Sequence, residues 1–238
     1  MIVAFKAIIA LSLLAFLEAS PAVQSSAPTA PTSAPLAQPS ATAPVTVQDV
    51  LGRMVANREG LNSFTVPIAF SISVHEIVSV SISPTGIRYF QRPDQEALIM
   101  HKVPGPAKSF QRIFAGLGTP ETWPSQYQIS LVTPDLASGN GIYELRGVPN
   151  KGGSVDHILL DVSQTTYEPV KARWFYKNGA TIVMSIVNAM AGDKYLLPKT
   201  ETLDIHFPSY KAHAVANYGE YSINSPIPDS VWQQQAPK

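Results

Sequence analysis

The chain of 238 residues contains no cysteine. That excludes a disulfide framework, a thiolate metal site, a cysteine nucleophile and a lipid-modified N-terminal cysteine. Charge is scarce too. Only 14% of residues are charged, 17 basic against 17 acidic, so the net charge is zero. Affinity for nucleic acid comes mainly from a basic surface that neutralises phosphates, so this balance argues against such a partner. Catalytic signatures are missing as well: there is no G-x-S-x-G, no H-E-x-x-H, no P-loop and no Rossmann glycine pattern. The N-terminal apolar run, Ala7–Leu17, has eleven residues, well short of the roughly 20 that span a bilayer.

That run follows a short n-region ending at Lys6 and precedes small residues, the pattern of a signal peptide. We assign 1–26 to it, with cleavage between Ala19 and Ala27 and an uncleaved anchor as the alternative. Between Pro21 and Pro44 the chain holds six Pro, seven Ala, four Ser and three Thr, and no charged residue. Such a stretch cannot bury enough apolar surface to offset its ordering entropy, so 27–45 reads as a flexible, partly polyproline-like linker. The last residues, 234–238, read as a flexible tail.

The folded part begins at Thr46. Val47, Val50, Leu51, Met54 and Val55 form one stripe of an amphipathic helix over 46–59, with Thr46 and Asp49 placed for a capping box and Gly60 as its stop. The period then changes to two. Phe64, Val66, Ile68, Phe70, Ile72 and Val74 alternate with small or polar residues, which predicts a long strand. Pro67 lacks a ladder donor, so this strand is expected at an edge, or paired on one side there. Further alternating runs follow at 78–82, 86–91, 96–102, 127–132, 142–146, 155–162, 170–176, 180–187, 195–197, 201–207, 211–216 and 218–223. A second helix is expected over 107–117, with Phe110, Ile113, Phe114 and Leu117 on one face. Asn178-Gly179 predicts a type I′ hairpin turn. No strand–helix–strand alternation appears. The fold class is therefore mainly β with few helices (α+β), an antiparallel sheet or barrel.

Five histidines offer the only titratable clusters, Asp156-His157 with Asp161, and Asp204 and His206 with His213. A closed zinc site takes about four ligands, so these read as solvated strand residues, and no metal or cofactor is expected. Without a nucleophile motif the chain is not expected to be an enzyme; an uncharacterised hydrolase is the residual alternative. The apolar phase is more informative. Phe70, Ile72, Val74, Leu98, Met100, Leu145, Ile158, Leu160, Trp174, Tyr176, Ile182, Met184 and Ile186 can all point to one side. An ordinary core is the plain reading of that set. A curved sheet with few helices has more apolar face than two helices fill, which leaves a cavity for an apolar ligand.

Short motifs over residues 46–233 resemble the periplasmic outer-membrane lipoprotein carrier and sorting family (LolA-like). They are Leu61-Asn-Ser-Phe64 entering a long strand, Gly86-Ile-Arg-Tyr-Phe-Gln-Arg-Pro93, Tyr143-Glu-Leu-Arg-Gly-Val-Pro149, Tyr195-Leu-Leu-Pro198, Asn217-Tyr-Gly-Glu-Tyr-Ser-Ile-Asn224 and Ile227-Pro-Asp-Ser-Val-Trp232. The resemblance implies an incomplete antiparallel barrel (half-barrel) around a helical lid. Its cavity, lined by the thirteen residues above with Phe110 and Phe114 from the lid, would receive acyl chains of a lipoprotein or lipid. It further implies a monomeric periplasmic carrier without catalytic residues, which serves an inner-membrane donor and an outer-membrane acceptor. A sensor or interaction module of the same fold is the alternative. Thr119–Pro124 and the Asn150–Ser154 loop depart from the family pattern, and the absence of cysteine excludes the acylated, anchored acceptor form.

Overall fold

A computed structural model describes residues 44–75, 79–101, 117–132 and 141–233. The expected signal peptide, nearly all of the linker, the tail at 234–238, and Phe110 and Phe114 with their helix as far as residue 116 lie outside the described residues.

Helix α1 (Val47–Ala56) starts where expected. The Thr46 N–H donates to Asp49 Oδ2 at 2.8 Å, and the Asp49 N–H donates to Thr46 Oγ1 at 3.2 Å. This closes the capping box, and the Thr46 hydrogen bonds lower the Asp49 pKa. The regular helix ends four residues before Gly60, which takes a positive φ of +81° in the turn that follows. Val50 and Met54, on the apolar stripe, are fully buried.

Twelve strands make one antiparallel sheet. They are β1 (Ser63–His75), β2 (Ser79–Ile82), β3 (Thr85–Gln91), β4 (Gln95–His101), β5 (Tyr127–Leu131), β6 (Ile142–Pro149), β7 (Val155–Ser163), β8 (Pro169–Tyr176), β9 (Thr181–Ala191), β10 (Tyr195–His206), β11 (Lys211–Tyr218) and β12 (Ser222–Ile223). The spatial order is β4-β3-β1-β11-β10-β9-β8-β7-β6-β5, with β2 and β12 pairing on β1. The terminal strands β4 and β5 do not pair with each other, so the sheet stays open. A turn of 3₁₀ helix at Pro120–Thr122 and the short α2 (Trp123–Gln126) lead into β5, and α3 (Ser230–Gln233) ends the described chain. Helix α1 lies against the 3₁₀ turn and β5. The architecture is an open half-barrel with few helices, as the sequence predicts.

Two local expectations are corrected and one holds in its second form. Strand β1 is flanked by β3 and β11 and is not an edge strand, but at Pro67 it is paired on one side only, with Ile87 of β3. Pro67 is tolerated because its pairing with β11 has ended by then: the ladder stops at Ile68–Tyr218, and the Pro67 carbonyl accepts from the Gly219 N–H at 2.8 Å. A Cβ on Gly219 would come within 2.8 Å of Pro67 Cγ, so this close passage needs glycine. The Asn178-Gly179 turn is not type I′, which requires positive φ at both residues; Gly179 has φ +82° and Asn178 is not in that region. A three-residue loop forms instead, closed by Gly179 N–H to the Tyr176 carbonyl at 2.9 Å and Tyr176 N–H to the Ala180 carbonyl at 3.0 Å. Finally, β9 and β10 form one long hairpin through 181–206. A register shift between Pro198 and Thr200 interrupts it and hides the alternation of β10 from a sequence reading.

Candidate functional site

Antiparallel register puts paired residues on the same face of a sheet, and this face can be followed strand by strand. Ile72 pairs with Ala214, Ala214 with Leu203, Leu203 with Met184, Met184 with Ala172, Ala172 with Leu160 and Leu160 with Leu145. Neighbouring rows add Phe70, Val74, Ile186, Ile182, Trp174 and Ile158, and beyond β1 they continue through Gly86 to Met100 and through Arg88 to Leu98. Tyr176 follows Trp174 by two residues and shares its face. The described members of the predicted set therefore share one side of the sheet. Most are buried, while Val74, Met100 and Tyr176 are half-buried against the core.

The predicted lining set omits part of this face. Ala212, Ala214 and Ala216 of β11 form a low stripe at its centre, and Phe64, Val66, Ile68, Leu203 and Ile205 complete the apolar floor. More unexpected is a buried polar cluster on the same side. Arg88 of β3 donates through Nε to Glu96 Oε1 of β4 at 2.7 Å and through Nη1 to the Tyr218 hydroxyl of β11 at 3.1 Å. Its Nη2 also pairs with Glu96. Tyr218 in turn donates to Glu201 Oε2 of β10 at 2.5 Å, and Glu201 Oε1 lies 3.7 Å from Arg88 Nη1. Burial alone would lower the Arg88 pKa, yet Glu96, Tyr218 and Glu201 hold it well above its ordinary value. Burial pushes the Glu201 carboxyl up, against the opposing pull of Arg88 and Tyr218. One guanidinium thus faces two carboxylates in an apolar setting. Phase is the signal that could have found the cluster, since Arg88, Glu96 and Glu201 each occupy an inward position of an otherwise apolar alternation.

The cluster lines one side of a cavity of about 60 Å³, bounded also by Leu61, Phe64, Phe90, Trp123 and Ile186. Arg58, just past α1, reaches the same cavity, and its Nη2 lies 3.4 Å from Glu168 Oε2. Burial raises the Glu168 pKa, with Arg58 opposing. Arg92 fixes this corner by donating to the Leu61 carbonyl at 2.7 Å and the Arg58 carbonyl at 2.8 Å while pairing with Glu121 at 2.8 Å. A second cavity of about 40 Å³ is almost wholly apolar and lies among Leu117, Trp123, Tyr127, Ile129, Leu145, Ile158 and Leu160. Both are smaller than the roughly 300 Å³ at which ligand pockets begin. A wider open groove, about 540 Å³, lies between the tip of the β9–β10 hairpin and Gly219–Tyr221, with mixed polar walls.

The histidines sit elsewhere. His157, His206 and His213 occupy positions of opposite phase to Ile158, Ile205 and Ala212, on the outer face. His157 Nδ1 pairs with Asp156 at 2.7 Å and His213 Nδ1 with Asp204 at 2.8 Å, while Asp161 pairs with Arg173. Among the described residues no three His, Asp or Glu side chains are grouped to hold a metal ion. No described helix is long and apolar enough to cross a membrane.

No family model and no curated protein matches the chain. Solved structures do. A LolA superfamily protein from Nitrosomonas europaea is 14% identical with a TM-score of 0.54, over 79% of this chain and 97% of that one. A DUF1329 family protein from Desulfovibrio piger is 11% identical with a TM-score of 0.55, over 79% and 96%. A putative outer membrane lipoprotein-sorting protein domain from Vibrio parahaemolyticus is 10% identical with a TM-score of 0.51, over 78% and 95%. At these identities the likeness is one of fold, and the chain has the LolA-like fold.

Proposed function

We propose that this chain is an exported envelope protein that carries acyl chains of lipoproteins or lipids on the inner face of its half-barrel and passes them towards the outer membrane. The observation that carries the reading is the continuous apolar face running from Met100 of β4 to Leu145 of β6 on a sheet that does not close. Each methylene removed from water is worth about 0.8 kcal/mol, so a sheltered acyl chain gains several kcal/mol without any chemistry. A putative lipoprotein-sorting domain among the fold neighbours supports the same reading, and the leader at 1–26 supports a periplasmic location. An inner-membrane donor and an outer-membrane acceptor would then be its partners. The hydrolase alternative has none of its histidines on the inner face.

A second reading, a sensor or interaction module that binds a partner protein without transport, is favoured by one observation. The two cavities bounded by described residues on the inner side are small, about 60 and 40 Å³, and Ile72, Leu203 and Ile205 are already fully buried. Lipid extraction and mass spectrometry of the chain, purified from an envelope fraction without detergent, separate the two. A stoichiometric acylated species in the wild type, absent from a folded Ile182→Asp variant, is the expected result. An empty wild-type protein that also takes up no fluorescent fatty-acid probe refutes the carrier reading and leaves the sensor.

A further inference from the structure

The two small cavities of the inner side share a wall. Leu117 and Trp123 border both, and no other described residue does. Voids larger than a water are few in a close-packed interior, so two that meet at one side chain set it apart from the rest of the core. The smaller cavity is lined almost wholly by apolar side chains, which gives water few partners there. The Trp123 indole thus borders empty space in two places and forfeits dispersion contacts at both.

Its anchorage is equally slight. Trp123 lies on the four-residue α2, off the sheet, within the Thr119–Pro124 segment that departs from the family pattern. The backbone there is pinned. The Thr122 N–H donates to the Thr119 carbonyl at 2.9 Å, the Asn150 N–H donates to the Gln126 carbonyl at 2.8 Å, and Arg92 pairs with Glu121 at 2.8 Å. The indole is held by one hydrogen bond, from Nε1 to the Leu117 carbonyl. Its chain neighbours Glu121, Pro124 and Ser125 are exposed, so the surface lies close to the buried ring.

We infer that the two cavities are the ends of one acyl-chain site, and that the Trp123 indole divides this site when it is empty and turns out to solvent when an acyl chain enters. The inference rests on the carrier reading and places the guest that reading leaves without a pocket. At about 15 Å³ for each water, cavities of about 60 and 40 Å³ hold roughly four and three waters, too little for an acyl chain. Joined through the volume that the indole vacates, they run from Leu61 and Phe64 to Leu145 and Leu160 along the apolar face. Exposing the ring is unfavourable, and the methylenes that take its place offset that cost. The backbone contacts of the segment survive the exchange, since only a side chain moves.

Acrylamide quenching of tryptophan emission tests this on the purified full chain, with palmitate held below its aggregation limit and its binding followed separately by calorimetry. Palmitate is expected to raise the quenching constant and shift the emission to the red, because one of three indoles passes from the interior to water. Trp123→Phe should lose that rise and bind palmitate about fivefold more tightly, since displacing the ring no longer breaks a hydrogen bond. Trp123→Tyr should likewise lose the rise and gives the same comparison if the phenylalanine variant does not fold. Binding without a rise in quenching, a rise that these variants retain, or equal or weaker binding by a folded Trp123→Phe overturns the inference. The indole is then a fixed wall, and the acyl chain lies elsewhere on the apolar face. Absence of palmitate binding in the wild type overturns the carrier reading, and this inference with it.

Discussion

Replacing Arg88 with methionine tests the energetics of the buried cluster. The substitution keeps much of the side-chain volume but removes the cation that Glu96 and Glu201 share. Their side chains are 15% and 4% exposed, so Glu201 cannot be rehydrated without opening the sheet. Breaking a buried pair from one side costs about 3–5 kcal/mol. Glu96 retains some solvent, which places the expected loss near the lower end, about 3 kcal/mol. With a urea m-value of about 2 kcal/mol/M, that moves the unfolding midpoint down by about 1.5 M, read from tryptophan fluorescence. The loss should depend on pH. Burial already raises Glu201 above its ordinary 4.5, and Arg88 opposes that rise, so removing Arg88 drives the folded carboxyl higher. The folded variant then holds a proton that the unfolded chain releases. Its stability falls as pH rises through the raised folded value and recovers as pH drops towards 4.5. The gap to wild type should therefore be widest at pH 7.5 and narrower at pH 5. Adding Glu201→Gln should restore part of the loss at pH 7.5. A deficit under about 1 kcal/mol, or one equal at both pH values, would refute the reasoning.

Two smaller tests concern the frame that holds the site. Thr46→Ala removes the acceptor for the Asp49 N–H and should cost about 1 kcal/mol, measured as a shift in urea midpoint, with Thr46→Ser close to wild type. Gly219→Ala places a methyl group 2.8 Å from the Pro67 ring and should destabilise by about 1–3 kcal/mol. Combining it with Pro67→Ala should recover more than half of that loss; strict additivity would place the strain elsewhere.

Much of the inner face was legible because period-two alternation is a local property. Phe70, Ile72 and Val74, or Ile182, Met184 and Ile186, declare a shared side within a few residues. What sequence alone could not supply was the meeting of strands. Arg88 and Glu96 are eight residues apart, but Glu201 and Tyr218 join them from more than a hundred residues away, through the pairings of β1 with β3 and with β11. No local pattern around any one of these residues points to the other three. Pro67 was half legible: its missing N–H announces pairing on one side only at that residue, while the way the chain meets the constraint, by ending β11 one residue earlier, is written at Gly219 rather than near Pro67. The hairpin at 178–179 failed on turn chemistry. Asn-Gly permits the type I′ turn without requiring it, and the loop is longer by one residue.

The unpaired ends of the sheet have a mechanical consequence. In a closed barrel, strand number and stagger together fix the diameter, so the interior can widen only by breaking ladder hydrogen bonds. Here β4 and β5 are tethered through the chain but not to each other. Small changes of twist, summed over the pairings from β4 to β5, can widen the trough while every existing pair stays intact. The calibre of the interior is therefore a soft coordinate, set by side-chain repacking rather than by the backbone ladder. A trough built this way can admit guests of different girth with one and the same register.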